Sequence, residues 1–213
     1  MKKPIILLFL IFHGTSFCIG QTIQEIFKSF PSTYIPEMTN EAKDSLLKNG
    51  TYIFPKAEDY METMKADYWT ENNYIRLEYY FPDGPSGFFI IELKKFQKND
   101  GTPFVVYSKF GGSPKAFDQH VLLTFSYENN TLEPIKDLGL PKTIETKEFL
   151  KEKILDSLDG KKLKMNTSYS LKTKDNNCVQ YNIYPEIYLY HEWVKTEKFS
   201  YIWNGERFEP KEN

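Results

Sequence analysis

Residues 74–81, YIRLEYYF, decide the fold class of this chain, because their apolar and polar side chains alternate. Ile75 and Leu77 would share one face of a strand, and Arg76 and Glu78 would share the other. Such alternation predicts a strand with one face buried and one face near solvent. Strands of this kind are typical of antiparallel sheets, so an antiparallel sheet is expected.

Three more strands are predicted after this one, each separated from the next by turn residues. The predicted strands cover 88–93, 104–110 and 121–127. The turns are PDGPSG at 82–87, Asn99-Asp100-Gly101, and Gly111-Gly112-Ser113-Pro114, which should end the third strand. Short turns between successive strands predict an antiparallel meander.

Helices and further strands are predicted on both sides of this meander. Apolar residues at helical spacing predict helices at 21–30, 39–47 and 143–158, and 56–68 fits a helical face less clearly. Strands are predicted at 167–173, 178–184, 187–194 and 198–203, and Asn204-Gly205 predicts a type I′ hairpin turn. The expected fold is α+β: an antiparallel β-sheet meander with a few helices packed on one side.

The expected domain organisation is a single α+β domain over residues 21–213. FSYENNTLEP at 125–134 is echoed by FSYIWNGERFEP at 199–210. A tandem repeat of a helix-plus-meander unit, with halves 21–136 and 143–213, would explain the echo. The alternative is that two hairpins share the same turn chemistry.

The first 20 residues have the three-part pattern of a secretory signal peptide. Lys2 and Lys3 precede the apolar run PIILLFLIF at 4–12, and a polar segment follows. The run is too short for a membrane span, which needs about 20 apolar residues. Cleavage after Gly20 would release an exported chain, periplasmic or extracellular, with no transmembrane segment. The alternatives are an uncleaved anchor or a buried N-terminal strand.

Cys18 leaves a second processing route open. Cleavage before Cys18 would give an outer-membrane lipoprotein, although that processing prefers a small residue where Phe17 stands. The intact mass of the protein from its own host distinguishes a chain that begins at Gln21 from one that begins at a diacylated Cys18. In the first case Cys178 is the one cysteine left, so no internal disulfide can form.

Charge and composition argue against several function classes. Removing residues 1–20, which hold two lysines and no acid, changes the formal net charge from −2 to −4. A mildly acidic chain offers no broad basic surface, so no nucleic acid partner is expected. His191-Glu192 is followed by Lys195 where a zinc-protease helix needs histidine. We expect neither a metal nor another cofactor.

A small secreted hydrolase is the alternative to a binding protein. It would use His120 with Asp118, or His191, together with Cys178. No local catalytic signature surrounds these residues, so no catalytic residue is assigned.

Aromatic residues are frequent, with 17 phenylalanines, 15 tyrosines and three tryptophans. Tyr181, Tyr188, Tyr190 and Trp193 cluster in one stretch and are the candidate ligand-binding residues. Rings with polar tips suit a platform for a glycan or a protein partner. The other interpretation is that they are cross-strand pairs that hold a sheet together.

Two stretches resemble an exported Bacteroidota protein family of unknown function. They are IFKSFPSTYIPEMT at 26–39 and VVYSKFGGSPKAFDQHVLLTFSYENNTLEPI at 105–135. The signal-like start with two lysines is also similar to that of exported proteins of these bacteria. The resemblance covers about half of the mature chain, implies export, and supplies no catalytic residue.

Together these features predict an exported, non-enzymatic binding or interaction protein.

Overall fold

The computed structural model describes residues 21–55, 64–81, 87–113, 116–117, 121–136, 138–157, 167–183 and 191–211. Its helices are α1 (Ile23–Lys28), α2 (Asn40–Asn49), α3 (Thr146–Phe149) and α4 (Glu152–Ser157). Its strands are β1 (Thr51–Ile53), β2 (Lys65–Glu71), β3 (Tyr74–Tyr80), β4 (Phe88–Gln97), β5 (Pro103–Ser113), β6 (Ala116–Phe117), β7 (Val121–Glu128), β8 (Thr131–Pro134), β9 (Thr167–Ser170), β10 (Cys178–Ile183), β11 (Lys198–Trp203) and β12 (Phe208–Pro210).

The strands form two antiparallel sheets. The large sheet has the order β1-β2-β3-β4-β5-β7-β8, and β6 pairs with the end of β5. The small sheet has the order β12-β11-β10-β9. Neighbours in both sheets follow chain order closely, which confirms the predicted α+β fold with an antiparallel meander. Whether the chain is a tandem repeat stays a prediction.

One face of the large sheet is covered by the two N-terminal helices. Ile75 and Leu77 of β3 point to this face and are fully buried there. Phe27 of α1 and Leu46 of α2 pack in the same core. The alternation in YIRLEYYF therefore gives the buried strand face that was predicted, because these apolar residues pack against the helices.

The opposite face of the large sheet packs against the small sheet. The Phe104 ring of β5 lies 4.5 Å from the Trp203 ring of β11, centroid to centroid, and 6.2 Å from that of Phe208. The buried members of this second core are Tyr74, Phe96, Phe104, Val106, Tyr169, Leu171, Val179, Tyr181, Trp203 and Phe208. The molecule thus has three layers: α1 with α2, the large sheet, and the small sheet.

The ends of the N-terminal helices are satisfied locally. Thr22 and Glu25 form a reciprocal capping box at the start of α1. Thr39 caps α2 as its position predicts, and Gly50 ends that helix in the left-handed conformation, with φ 74°.

The helix predicted over 143–158 is broken in two, which corrects the expectation. Leu150 has extended backbone angles, φ −92° and ψ 151°, and forms an antiparallel bridge with Val194. The Lys151 N–H donates to the Trp193 carbonyl at 2.8 Å. This pairing requires extended backbone at Leu150. The short pieces α3 and α4 flank it.

Three other local predictions were wrong. His191–Trp193 form a 3-10 turn rather than the end of a strand over 187–194, and 184–190 lies outside the described residues. Lys65–Tyr68 belong to strand β2 rather than to a helix, while 56–63 lies outside the description. Gly111 and Gly112 do not end β5, because they pair with Phe89 and Phe88 of β4.

The Asn204-Gly205 turn also differs from the prediction. Gly205 has φ 103°, but Asn204 is not among the residues with positive φ, so the turn is not type I′. Positive φ at both central residues occurs instead at Asn129 and Asn130, with values of 51° and 61°, in the β7–β8 hairpin.

Because four tyrosines are buried, we expect the free energy of unfolding to fall at alkaline pH. Burial raises the pKa of Tyr74, Tyr79, Tyr107 and Tyr181 above the ordinary value. Since the folded-state pKa exceeds the unfolded value of about 10, stability is complete below pH ~10 and falls above it. Each residue should cost about 1.4 kcal/mol per pH unit in that range. Urea unfolding at increasing pH measures the slope, and a stability that stays level above pH ~10 would contradict the prediction.

Candidate functional site

The structure describes two of the four sequence-predicted ligand-binding residues, Tyr181 and Trp193. Tyr181 is fully buried between the sheets, and its hydroxyl donates to the Pro141 carbonyl at 2.7 Å. Trp193 is partly buried against the core around Phe149. Tyr188 and Tyr190 lie outside the described residues. The four-residue platform stays a prediction.

The candidate hydrolase residues are not assembled by the described part of the chain. Cys178 is buried, with 3% of its surface exposed. Asp118, His120 and the side chain of His191 lie outside the description. Among the described residues, no three His, Cys, Asp or Glu side chains are grouped closely enough to hold a metal ion.

A cleft of about 900 Å³ lies where the two sheets meet at one end. Four segments form its wall: the β2–β3 turn, the end of β4 with its following turn, the segment between β9 and β10, and the β11–β12 turn. The lining residues are Glu71, Asn72, Asn73, Tyr74, Lys94, Lys95, Phe96, Gln97, Asn99, Leu171, Lys172, Thr173, Lys174, Asn176, Asn177, Trp203, Asn204 and Gly205. We call this cavity the asparagine cleft.

Lys94 fixes one wall of the asparagine cleft. Its Nζ donates to the Leu171 carbonyl at 2.7 Å and to the Cys178 carbonyl at 3.2 Å. The side chain is 4% exposed, and burial lowers the pKa of its ammonium group. Because its hydrogens are used by backbone oxygens, Lys94 holds the wall rather than a ligand.

Glu92, two positions before Lys94 in β4, fixes the same wall. Its Oε2 accepts a 2.9 Å hydrogen bond from the Leu171 N–H. Its Oε1 accepts from the Tyr74 hydroxyl at 2.5 Å and from Arg76 Nη1 at 3.0 Å. Burial first, and then the Glu92 charge, raise the pKa of the Tyr74 hydroxyl. The buried carboxylate is thus fully hydrogen-bonded.

The opposite wall is tied to the large sheet by Trp203. Its Nε1 donates to the Gln97 carbonyl at 2.7 Å, and its backbone N–H donates to the Asn177 carbonyl at 2.8 Å. The Asn99 N–H donates to the Gly205 carbonyl at 3.0 Å. The bonds from Trp203 Nε1 and from the Asn99 N–H join the two sheets and fix the walls of the cleft relative to each other, so the cleft is preformed.

Six asparagines line the cleft, and turn chemistry explains two of them. Asn72 has φ 52°, a conformation that asparagine tolerates, and Asn204 Oδ1 accepts two backbone N–H bonds. The other four are Asn73, Asn99, Asn176 and Asn177. None of these four side-chain amides has a hydrogen-bond partner among the described residues, and all four are exposed. They leave donors and acceptors available in one cavity.

The cleft is positive although the chain is slightly acidic. Its lining includes Glu71 and Lys172, which form an exposed 3.1 Å ion pair across the rim, and Lys95, whose Nζ donates to the Gln21 carbonyl at 2.7 Å on the α1 side of the sheet. The buried Lys94 and the exposed Lys174 therefore supply the positive charge of the cleft. Lys174 has no hydrogen-bond or ion-pair partner among the described residues. A positive cavity attracts an anionic group.

The chemistry of the lining favours recognition. Glu71 is the one carboxylate in the described lining, which has no histidine, cysteine or serine. These residues therefore offer no Ser–His or Cys–His pair. Free amides and lysines suit a ligand rich in hydroxyls that also carries negative charge.

Comparison with known proteins gives a fold neighbour but no function. No family model and no curated protein matches the sequence. A solved structure, titled "Structure of a domain of an uncharacterized protein from Porphyromonas gingivalis W83", is similar, with a TM-score of 0.60 and 13% identity. The alignment covers 90% of this chain and 98% of that one. The likeness extends to the fold, and its source is an uncharacterized Bacteroidota protein, the group that the sequence resembles.

In the described segments, no helix has both the length and the apolar character to cross a bilayer.

Proposed function

We propose that this chain is an exported binding protein whose asparagine cleft holds an acidic oligosaccharide. The observation that carries the proposal is the meeting of four unpartnered asparagine amides with a net positive charge in one preformed cavity. A protein partner for the predicted Tyr188 and Tyr190 platform is the other form of the binding hypothesis.

Amide side chains match sugar hydroxyls, because each amide both donates and accepts hydrogen bonds. Asn176 and Asn177 lie on the small-sheet wall, and Asn73 and Asn99 lie on turns of the large sheet. A ligand between the walls could be held from both sides. The lysines add attraction for uronate carboxylates or sulfate groups.

The hydrogen-bonded walls of the cleft lower the entropy cost of binding an oligosaccharide. Lys94, Glu92 and Trp203 are buried and hydrogen-bonded before any ligand arrives. Little backbone ordering then has to accompany binding, so more of the contact energy appears as affinity.

Export is consistent with how α1 begins. Thr22 and Glu25 complete its N-terminal cap, and the Gln21 carbonyl is held by Lys95. The helix start therefore needs no partner that precedes Gln21, which supports a mature chain beginning there.

Binding to glycans of defined charge tests the proposal. We expect hyaluronan oligosaccharides to bind more tightly than neutral chito-oligosaccharides of equal length, with affinity falling as salt rises. Asn176→Ala should weaken hyaluronan binding about 2–10-fold, the value of a neutral hydrogen bond. Lys174→Gln should weaken it about 10-fold, the value of a bond to a charged group. Isothermal titration calorimetry measures all of these.

Two matched variants serve as controls. Asn182→Ala and Lys198→Gln remove the same side-chain types from β10 and β11, away from the cleft lining. Their affinities should equal that of the wild type. Equal affinity for neutral and acidic glycans, or an equal loss in the control variants, would contradict the proposal.

A further inference from the structure

An exposed tryptophan lies on the large sheet next to the asparagine cleft. Trp69 of β2 is 48% exposed. Its strand neighbour on the same face, Glu71, lines the cleft, about 7 Å further along the strand. The side chain directly across the sheet is Arg76 of β3.

The polar side chains around Trp69 are engaged with one another. On β2, Lys65 pairs with Asp67 at 3.1 Å; on β3, Arg76 pairs with Glu78 at 2.7 Å. We call this surface, Trp69 with these four residues, the Trp69 strip. Trp69 itself has no hydrogen-bond or ring-contact partner among the described residues. About half of the Trp69 surface is therefore accessible, and its indole N–H has no partner among the described residues.

A single exposed apolar residue needs no explanation by itself. Among the large exposed apolar residues that the structure describes, Ile53, Val121 and Leu155 are aliphatic, whereas Trp69 is aromatic and stands two positions before the cleft-lining Glu71. An indole face carries partial negative charge and packs well against the C–H groups of a sugar ring. The indole N–H, which has no partner among the described residues, can donate to a sugar oxygen.

We propose that Trp69 forms a second sugar subsite, continuous with the asparagine cleft, which stacks a neutral sugar unit of the same oligosaccharide. This inference rests on the proposed function of the cleft. A chain that passes from one subsite to the other crosses the rim at the exposed Glu71–Lys172 ion pair.

The charges of the two subsites differ. The cleft carries a net positive charge, whereas Lys65 and Arg76 in the Trp69 strip are already offset by Asp67 and Glu78. Glu71, beside the indole, is paired with Lys172 and adds no net charge. An acidic sugar is therefore attracted by the cleft and not by the Trp69 strip. The fitting ligand is a glycan in which acidic and neutral units alternate.

Three probes test this subsite: a long hyaluronan oligosaccharide, which alternates acidic and neutral units; glucuronate, which is its acidic unit alone; and an oligogalacturonate of equal length, which has acidic units alone. Trp69→Ala should weaken long hyaluronan about tenfold. It should leave glucuronate binding unchanged and affect oligogalacturonate less than long hyaluronan. Trp69→Phe, which keeps a ring, should retain most of the affinity.

Fluorescence gives an independent readout, because Trp203 is buried and Trp193 partly buried. Long hyaluronan should shift the emission of the wild type to shorter wavelength, and Trp69→Phe should lose that shift. Val121→Ala removes another exposed apolar side chain and should change nothing. Thermal unfolding of each variant verifies that it is folded.

The outcomes separate the two proposals. If Trp69→Ala binds long hyaluronan as the wild type does while Lys174→Gln binds weakly, the Trp69 subsite is wrong and the cleft stands. If the wild type binds none of the three probes, both proposals fail. If Trp69→Ala weakens glucuronate as much as the long chain, Trp69 is not a separate subsite.

Discussion

Lys94→Ala should lower the free energy of unfolding by about 3 kcal/mol. The substitution removes the donor to the Leu171 and Cys178 carbonyls, and both acceptors lie in the buried contact between the sheets. A buried acceptor left without a partner costs the full penalty of its desolvation. Urea unfolding measures the loss.

Two comparison variants show whether the lost hydrogen bonds are the cause. Lys94→Met keeps the apolar stem but not the ammonium group, so it should be destabilised to a similar degree. Lys98→Ala lies on the next turn, where the lysine side chain has no ion pair or hydrogen bond among the described residues, and should change stability by less than about 0.5 kcal/mol. If Lys94→Met unfolds like the wild type, lost packing rather than lost hydrogen bonding explains the effect of Lys94→Ala.

Gly139→Ala should be the most destabilising glycine substitution, at about 2–5 kcal/mol. Gly139 has φ 86°, and an added Cβ would collide with the Phe208 carbonyl and lie 3.1 Å from the Phe208 nitrogen. The Phe208 N–H is itself bonded to the Leu138 carbonyl at 2.6 Å, so this backbone cannot move aside without losing a bond.

Gly50→Ala is the matched control for this prediction. Gly50 has a similar φ of 74°, but nothing lies within 4 Å of the position of an added Cβ. Its cost should be that of the left-handed conformation alone, about 1–2 kcal/mol. If the two variants are destabilised equally, the clash between the added Cβ and the Phe208 backbone does not contribute to the loss of stability.

The fold class was predictable where one periodic signal dominated. Ile75 and Leu77 alternate with Arg76 and Glu78, and in the structure the two sets do lie on opposite faces. The prediction failed where a long-range contact overrode local preference. Leu150 fits a helical stripe, yet its backbone pairs with Val194, 44 positions later, and nothing local signals that pairing.

The cleft could not be predicted because its residues come from four separate segments. Asn72-Asn73, Asn99, Asn176-Asn177 and Asn204 each occur where asparagine is an ordinary turn residue. Only the packing of the two sheets brings these turns together. The one feature of the sequence that could have indicated the cleft is the pair of asparagine doublets, Asn72-Asn73 and Asn176-Asn177. Aromatic density pointed instead to Tyr181, which the structure uses as core.

The central claim is that the asparagine cleft is the ligand site. The most direct test is an NMR titration with hyaluronan oligosaccharide that follows the side-chain amide resonances of all asparagines. We expect the side-chain amide resonances of Asn73, Asn99, Asn176 and Asn177 to shift together in a saturable way, and that of Asn182 to stay in place. Saturable binding that leaves these four resonances in place, or that shifts the Trp193 indole N–H resonance instead, would contradict the assignment of the cleft as the ligand site.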